Sequence, residues 1–382
     1  MIKLISETEV QQSMNNIRNT IMNLIELGWN SYFDDHFERY KDVNLEPARV
    51  GCEHKDRYLV YSQSGEFIAE VSGKFRHETS SRADYPAVGD WVAVSSRPDE
   101  GRATIHGLVT RKSSFSRKAV LAGSKSFGGK TDEHVLAANV DVVFLVGGLD
   151  GNYNLRRIER YLTIAYDSGA SPVIVLNKAD LCDDIDSILE EVETVAFGVP
   201  VHAVSALKND GAQPLREHIA EGSTAVFLGS SGVGKSSLIN CLMRNDSILT
   251  REVRLSDGKG RHTTTRREMY FLPEGGTVID TPGLRELQLW DDEEGLSKAF
   301  NDIEELAAQC RFRDCSHRNE PGCAIQNALR EGTLDGDRYR SYRKLQRELA
   351  FVERRKSESL QRLEKDKWKQ IARKVKQIKK IK

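Results

Sequence analysis

Apolar positions change their rhythm along the chain. Near the start the spacing is helical: Ile21, Leu24, Ile25 and Trp29 fall on one stripe within residues 1–40. From about residue 45 the period becomes two. Tyr58-Leu59-Val60-Tyr61, a Ser64-Gly65 turn and Phe67-Ile68-Ala69-Glu70-Val71 predict paired strands, with further short strands at 90–94 and 103–109. Closely spaced short strands with turn signals between them predict a small barrel; an OB-type barrel fits, and periodicity alone does not separate it from other small barrels. Residues 111–133 are basic, rich in Ser and Gly and aperiodic, and read as a linker or mobile loop. Continuous apolar runs then alternate with helical patterns. Strands are predicted at 142–146, 173–176, 200–204, 225–228 and 277–279, with a helix carrying Ile185, Ile188, Leu189, Val192 and Val195 on one face. That alternation predicts a parallel sheet covered on both sides. Beyond about 295 the chain becomes helical and charged, with Tyr339, Tyr342, Leu345 and Leu349 on one helix face.

The expected organisation is therefore multidomain: a helical extension (1–44), a barrel (45–112), a linker (113–133), an α/β domain (134–292) and a helical C-terminal domain (293–382). The length of 382 residues agrees, being too great for one ordinary core. An apolar fraction of 39% and a charged fraction of 30% are those of a globular protein. No run of eighteen apolar residues occurs, and the first residues lack the features of a secretory signal, so a cytoplasmic protein with no membrane partner is expected. The strongly basic last residues suit a polyanionic partner, although a solvated helix end is the commoner meaning of such a run.

The sharpest chemical signal is Gly229-Ser230-Ser231-Gly232-Val233-Gly234-Lys235-Ser236, followed by Ser237. It fits the phosphate-loop pattern at every fixed position, with a predicted strand before it and an apolar helix (Leu238, Ile239, Leu242) after it. Its glycines let backbone N–H groups face phosphates, and the helix N-terminus adds favourable partial charge. Lys235 neutralises the outer phosphates and Ser236 offers a hydroxyl to Mg2+. A chance Gly-Ser turn would not bring both the strand and the helix.

Asn177-Lys178-Ala179-Asp180 follows the strand 173–176 and resembles the guanine-specificity motif of GTPases. A carboxylate there accepts two hydrogen bonds that guanine donates and adenine cannot. Asn, Lys and Asp also cap helices, so the motif gains its weight from its strand end and its accompanying phosphate loop. Ser205-Ala206 closes another strand and resembles the second guanine loop, where a backbone N–H meets the base oxygen. Asp280-Thr281-Pro282-Gly283 ends the strand 277–279; Asp280 would hold Mg2+ through water and the Gly283 N–H would meet the third phosphate. An ordinary Pro-Gly turn is the bland reading of that stretch. Most GTPases carry the phosphate loop first, whereas here the guanine motifs precede it and the switch regions come last. Permutation is tolerated because domain termini lie close together. Its consequence is that the switches run directly into the C-terminal segment.

Many GTPases place Gln after the Asp-x-x-Gly turn to orient water; Leu284 stands there and cannot do so. Unassisted hydrolysis is therefore expected to be slow. Gly232 stands where other GTPases lacking that Gln use Asn to recruit potassium. Residues 257–265 read as the first switch, in which Thr263 or Thr264 closes on Mg2+. His262 is the candidate catalyst, since histidine titrates near neutrality, while Arg261 is the alternative through charge stabilisation.

Three of six cysteines cluster with a histidine: Cys310, Cys315, His317 and Cys323. Three thiolates and one imidazole, with no open position, describe one structural Zn2+ per chain rather than a catalytic metal.

This combination of barrel, guanine motifs, phosphate loop, switches and Cys-Cys-His-Cys knot resembles the RsgA (YjeQ) family of bacterial circularly permuted GTPases, over about residues 45–330. The most specific matches are 177–180, 229–237, 261–265, 280–283 and 310–323. The resemblance implies hydrolysis of GTP to GDP stimulated by the small ribosomal subunit, in late maturation of that subunit. It also implies that the OB-type barrel and zinc domain contact rRNA, and that His262 is catalytic. The long leader and basic tail exceed the minimal family pattern. A GTP-sensing RNA-binding scaffold with negligible turnover is the competing expectation, kept open by Leu284. Nothing in the sequence requires a dimer, and a monomer is expected.

Overall fold

The computed structural model describes residues 23–41, 43–54, 57–79, 81–120, 131–151, 153–208, 211–244, 267–280 and 293–350. Two compact units divide the chain, one made of residues 1–117 with 134–287 and the other of 118–133 with 288–382.

Among the described residues the first element of the larger unit is helix α1 (Ser31–Lys41), which buries Phe33 and Phe37. This corrects the expected stripe. Among the described residues helix starts at Ser31, Ile25 is 66% exposed, and Trp29 instead stands edge-on to Trp91 with centroids 4.7 Å apart. Ile21 lies outside the described residues. Strands β1 (Glu46–His54), β2 (Arg57–Ser62) and β3 (Gly65–Val71) follow, then the short helix α2 (Gly73–Glu78), β4 (Trp91–Arg97) and β5 (Arg102–Leu108). They pair in the order β1-β2-β3-β5-β4, and β4 returns to pair with β1, closing a barrel in which β3 and β5 run parallel. Alternate residues such as Val50, Val60, Phe67, Val92 and Ile105 fill it. A closed five-stranded barrel of this kind is the OB type.

The stretch read as a linker is not structureless. Strand β6 (Ser114–Val120) and β7 (Thr131–Ala138) form a separate two-stranded sheet. Ser, Arg and Lys between the apolar positions obscure the alternation, and most of the pairing strand lies beyond residue 133. Residues 121–130 lie outside the described set.

Then come β8 (Val142–Gly148), α3 (Leu155–Ser168), β9 (Ser171–Asn177), α4 (Ile185–Glu193), β10 (Val201–Val204), α5 (Ala212–Arg216), β11 (Thr224–Gly229), α6 (Lys235–Met243), β12 (Glu268–Phe271) and β13 (Thr277–Asp280). Their order is β10-β9-β8-β11-β13-β12, parallel throughout except for β12. Strand β12, absent from the expected elements, pairs with β13 on one side and with β1 through Cys52 and Glu268 on the other. The barrel and the α/β layer thus share one 11-stranded sheet, where the sequence suggested two domains with a spacer.

Arg49 locks this junction. Only 1% exposed, it donates to the carbonyls of Leu27, Gly89 and Asn139 and, at 2.7 Å, to Thr224 Oγ1. A buried guanidinium costs several kcal/mol in desolvation, and these acceptors from the leader, barrel and α/β layer offset it. Burial lowers its pKa to about 10, partly opposed by Asp141 and Asp90, so it stays charged at neutral pH.

The smaller unit holds α7 (Glu293–Ala299), α8 (Asn301–Ala308), α9 (Ala324–Glu331) and a helix α10 over 336–350. Tyr342, Leu345 and Leu349 of the expected stripe are buried, so its role is packing. Arg338 pairs with Asp302 at 2.6 Å and lies over the Phe300 ring. Among the described residues no helix is long and apolar enough to cross a membrane.

Candidate functional site

Parallel pairing places the carboxyl ends of β9, β10, β11 and β13 along one edge of the sheet. Asn177 ends β9, Ser205 follows β10, Gly229 ends β11 and Asp280 ends β13. Ligands of open α/β sheets bind outside such an edge. Motifs separated by about a hundred residues are thereby gathered, in the rotated order read from the chain.

Asn177 is the hub. It is 2% exposed, its Nδ2 donates to the Val233 carbonyl at 2.8 Å, and its Oδ1 accepts from the Ala206 N–H at 3.1 Å. One amide therefore ties the phosphate loop and the second guanine loop to β9. Gly234 has φ +94°, and a Cβ there would stand 2.2 Å from Asn177 Nδ2, so both the backbone angle and the close approach require glycine. Ser205 Oγ donates to Asp180 Oδ1, and the Lys208 N–H donates to Ser205 Oγ at 3.3 Å. The carboxylate expected to read guanine is thus oriented before any base arrives. Lys178 holds φ 66°, in the left-handed region that ordinary residues rarely adopt, and its ammonium pairs with Asp150.

Helix α6 begins at Lys235, with Leu238, Ile239 and Leu242 buried and Ser236 and Ser237 in its first turn. Ser230, Ser231, Gly232 and Val233 form the turn before it. Lys235 Nζ donates to the Gly229 and Ser230 carbonyls at 2.7 and 2.8 Å. Ala179 opens a short 3-10 turn that carries Asp180. Asp280 is the register partner of Glu268 on β12 and follows Ile279, the register partner of Val226 on the phosphate-loop strand. Arg261, His262, Thr263, Thr264, Gly283 and Leu284 lie outside the described residues.

Two side chains at this edge escaped the sequence reading, Asp150 from the turn after β8 and Arg157 from the first turn of α3. Asp150 pairs with Lys178 of the guanine motif, and Arg157 donates through Nη1 to Ser230 Oγ of the phosphate loop at 3.2 Å. Their only sequence signal was position, just past the carboxyl end of a predicted parallel strand.

In the smaller unit, Cys310, Cys315, His317 and Cys323 bring their donor atoms within 4.8 Å of one another. Cys310 Sγ and Cys323 Sγ lie 3.5 and 3.6 Å from His317 Nδ1 and 3.9 Å from each other. Tetrahedral zinc would set sulfur–nitrogen and sulfur–sulfur separations of about 3.6 and 3.8 Å, so the donor set fits that ion. The loop is held independently. Glu320 accepts from the Ser316 hydroxyl and N–H, and from the Arg318 and Asn319 N–H groups, which depresses its pKa to about 2. Gln326 Nε2 donates to the His317 carbonyl at 2.8 Å. Arg311, Phe312, Arg313 and Arg318 are exposed around this knot.

Comparison with known proteins agrees with these features. The family model described as RsgA GTPase matches residues 109–290. The chain is 48% identical over 359 residues to the small ribosomal subunit biogenesis GTPase RsgA of Opitutus terrae, covering 92% of this chain and 96% of that protein. It is 44% identical over 346 residues to RsgA 1 of Oceanobacillus iheyensis, covering 89% and 97%. Among solved structures, YjeQ from Thermotoga maritima superposes with a TM-score of 0.58 at 28% identity, covering 80% of this chain and 99% of that one. YloQ, described as a circularly permuted GTPase, shares the fold with a TM-score of 0.57 at 22% identity, covering 80% and 96%.

Proposed function

The chain belongs to the RsgA family of small ribosomal subunit biogenesis GTPases, and from that premise we propose that it hydrolyses GTP to GDP and phosphate when bound to a maturing small subunit. The observation that carries this reading is the Asn177 hub, which fixes guanine-facing and phosphate-facing residues to one another.

In this reading Asp180, held by Ser205, accepts from the guanine ring, and the Ala206 loop meets the base oxygen. The amides of residues 229–237, together with Lys235, hold the phosphates. Ser236 and Asp280, with Thr263 or Thr264, would hold Mg2+, which supplies charge neutralisation at the phosphates. The Gly283 N–H meets the third phosphate. His262 orients the attacking water, and Leu284 leaves its hydrolysis dependent on the subunit. Cys310, Cys315, His317 and Cys323 would hold one structural Zn2+, which supplies folding energy to its loop. The exposed Arg311, Phe312, Arg313 and Arg318 then offer rRNA both charge and a stacking surface, and the barrel offers a second RNA-binding surface.

Co-sedimentation with purified small subunits tests the reading. Binding is expected to be stronger with a nonhydrolysable GTP analogue than with GDP. Equal pelleting in both states would remove nucleotide control from the account.

A further inference from the structure

Two cations from different elements converge on one residue of the phosphate loop. Lys235 Nζ donates to the Ser230 carbonyl, and Arg157 Nη1 donates to the Ser230 hydroxyl. Lys235 is the group that the phosphate-loop pattern assigns to the outer phosphates, whereas the later loop amides and the start of α6 cradle the inner ones. Ser230, the second residue of the loop, therefore marks the outer-phosphate side.

Arg157 reaches it from a fixed base. Its own N–H is capped by the Asn154 side chain at 2.9 Å in the first turn of α3, and Ile158 and Leu162 bury that helix against the sheet. The neighbouring Arg156 has a different task, since it pairs at 2.5 Å with Glu159, a carboxylate buried within α3. A planar guanidinium matches phosphate oxygens with paired donors. GTP also brings one more phosphate than GDP to a loop whose sequence pattern provides a single lysine.

We propose that Arg157 is a second phosphate-site cation that selects the triphosphate, its guanidinium serving the terminal phosphate from its station at Ser230. The proposal rests on the GTP-binding reading above and adds a specificity residue to it.

The test is titration of fluorescent GDP and of a fluorescent nonhydrolysable GTP analogue into the full chain and its Arg157→Ala and Arg157→Lys variants, with thermal unfolding of each. Arg157→Ala is expected to weaken the triphosphate analogue by about tenfold or more, as for loss of a charge-assisted hydrogen bond, and GDP by less than about threefold. Arg157→Lys is expected to recover part of the loss, because it restores charge without the fork. Equal weakening of both nucleotides would make Arg157 a prop for the loop and overturn the proposal, as would unchanged binding of both. Failure of the unaltered chain to bind either nucleotide is a separate result, which would overturn the GTP-binding reading and the proposal with it.

Discussion

At Asp180 the chemistry of specificity reduces to one carboxylate and the hydroxyl that aims it. Ser205 donates to one oxygen, leaving the other edge of the group for a base that offers two donors. Asp180→Asn replaces an acceptor by a donor at that edge. GTP affinity is expected to fall about 100-fold, while a xanthine nucleotide, whose corresponding edge carries a carbonyl, binds better than GTP to the variant. Competition titrations with the two nucleotides check this. Such residues were legible because short contiguous motifs carry their own chemistry. Asp150 and Arg157 were not, since an Asp in a turn and an Arg in a first helical turn are ordinary until the fold brings them to Lys178 and Ser230. The αL backbone at Lys178 and His317 was equally hidden, because neither residue type announces it.

Among the elements, β10 carries a feature with a sign that depends on pH. His202 Nε2 lies 2.7 Å from His218 Nε2, a contact that accommodates one shared proton, and Phe144 stands edge-on to His218. Burial lowers the pKa of His202, His218 lowers it further, and Glu217 partly opposes this. The folded state therefore binds protons less readily than the unfolded chain. Stability from this pair is fully present above about pH 6.5, the unfolded value, and is lost as pH falls through the lowered folded one. Thermal melts between pH 7.5 and 5 are expected to show a decline that His202→Gln reduces. The Cys/His loop makes another element-scale prediction. Zinc analysis is expected to return one ion per chain, and a strong chelator is expected to melt the smaller unit while the larger retains its transition. Retention of both transitions after complete removal would contradict a structural role. Strands β8, β9, β11 and β13 were readable because both their faces are buried and their sequences are continuously apolar. By contrast, β12 is four residues long and stands as a strand only through its neighbours β13 and β1.

For the whole molecule, the pairing of β1 with β12 is what the sequence left unread. That pairing depends on residues over two hundred positions apart, Cys52 and Glu268, and no local pattern encodes it. Its consequence is that β12, which follows in sequence the segment proposed as the first switch, is also a barrel neighbour. Arg267, at the start of that strand, pairs with Glu53 of β1 at 3.2 Å. The segment proposed as the second switch precedes the Cys/His segment in sequence, as the rotated motif order implied. Both flanking modules are thus continuous in the chain or the sheet with the segments proposed to meet the third phosphate. Such an enzyme gains from hydrolysing only when its RNA partner is engaged.

The most direct measurement is single-turnover hydrolysis of GTP and of ATP by the full chain, with and without purified small ribosomal subunits. Cleavage of GTP alone, slow in isolation and at least about tenfold faster with subunits, is the predicted result. Equal cleavage of ATP, or a GTP rate that the subunits leave unchanged, would contradict the account.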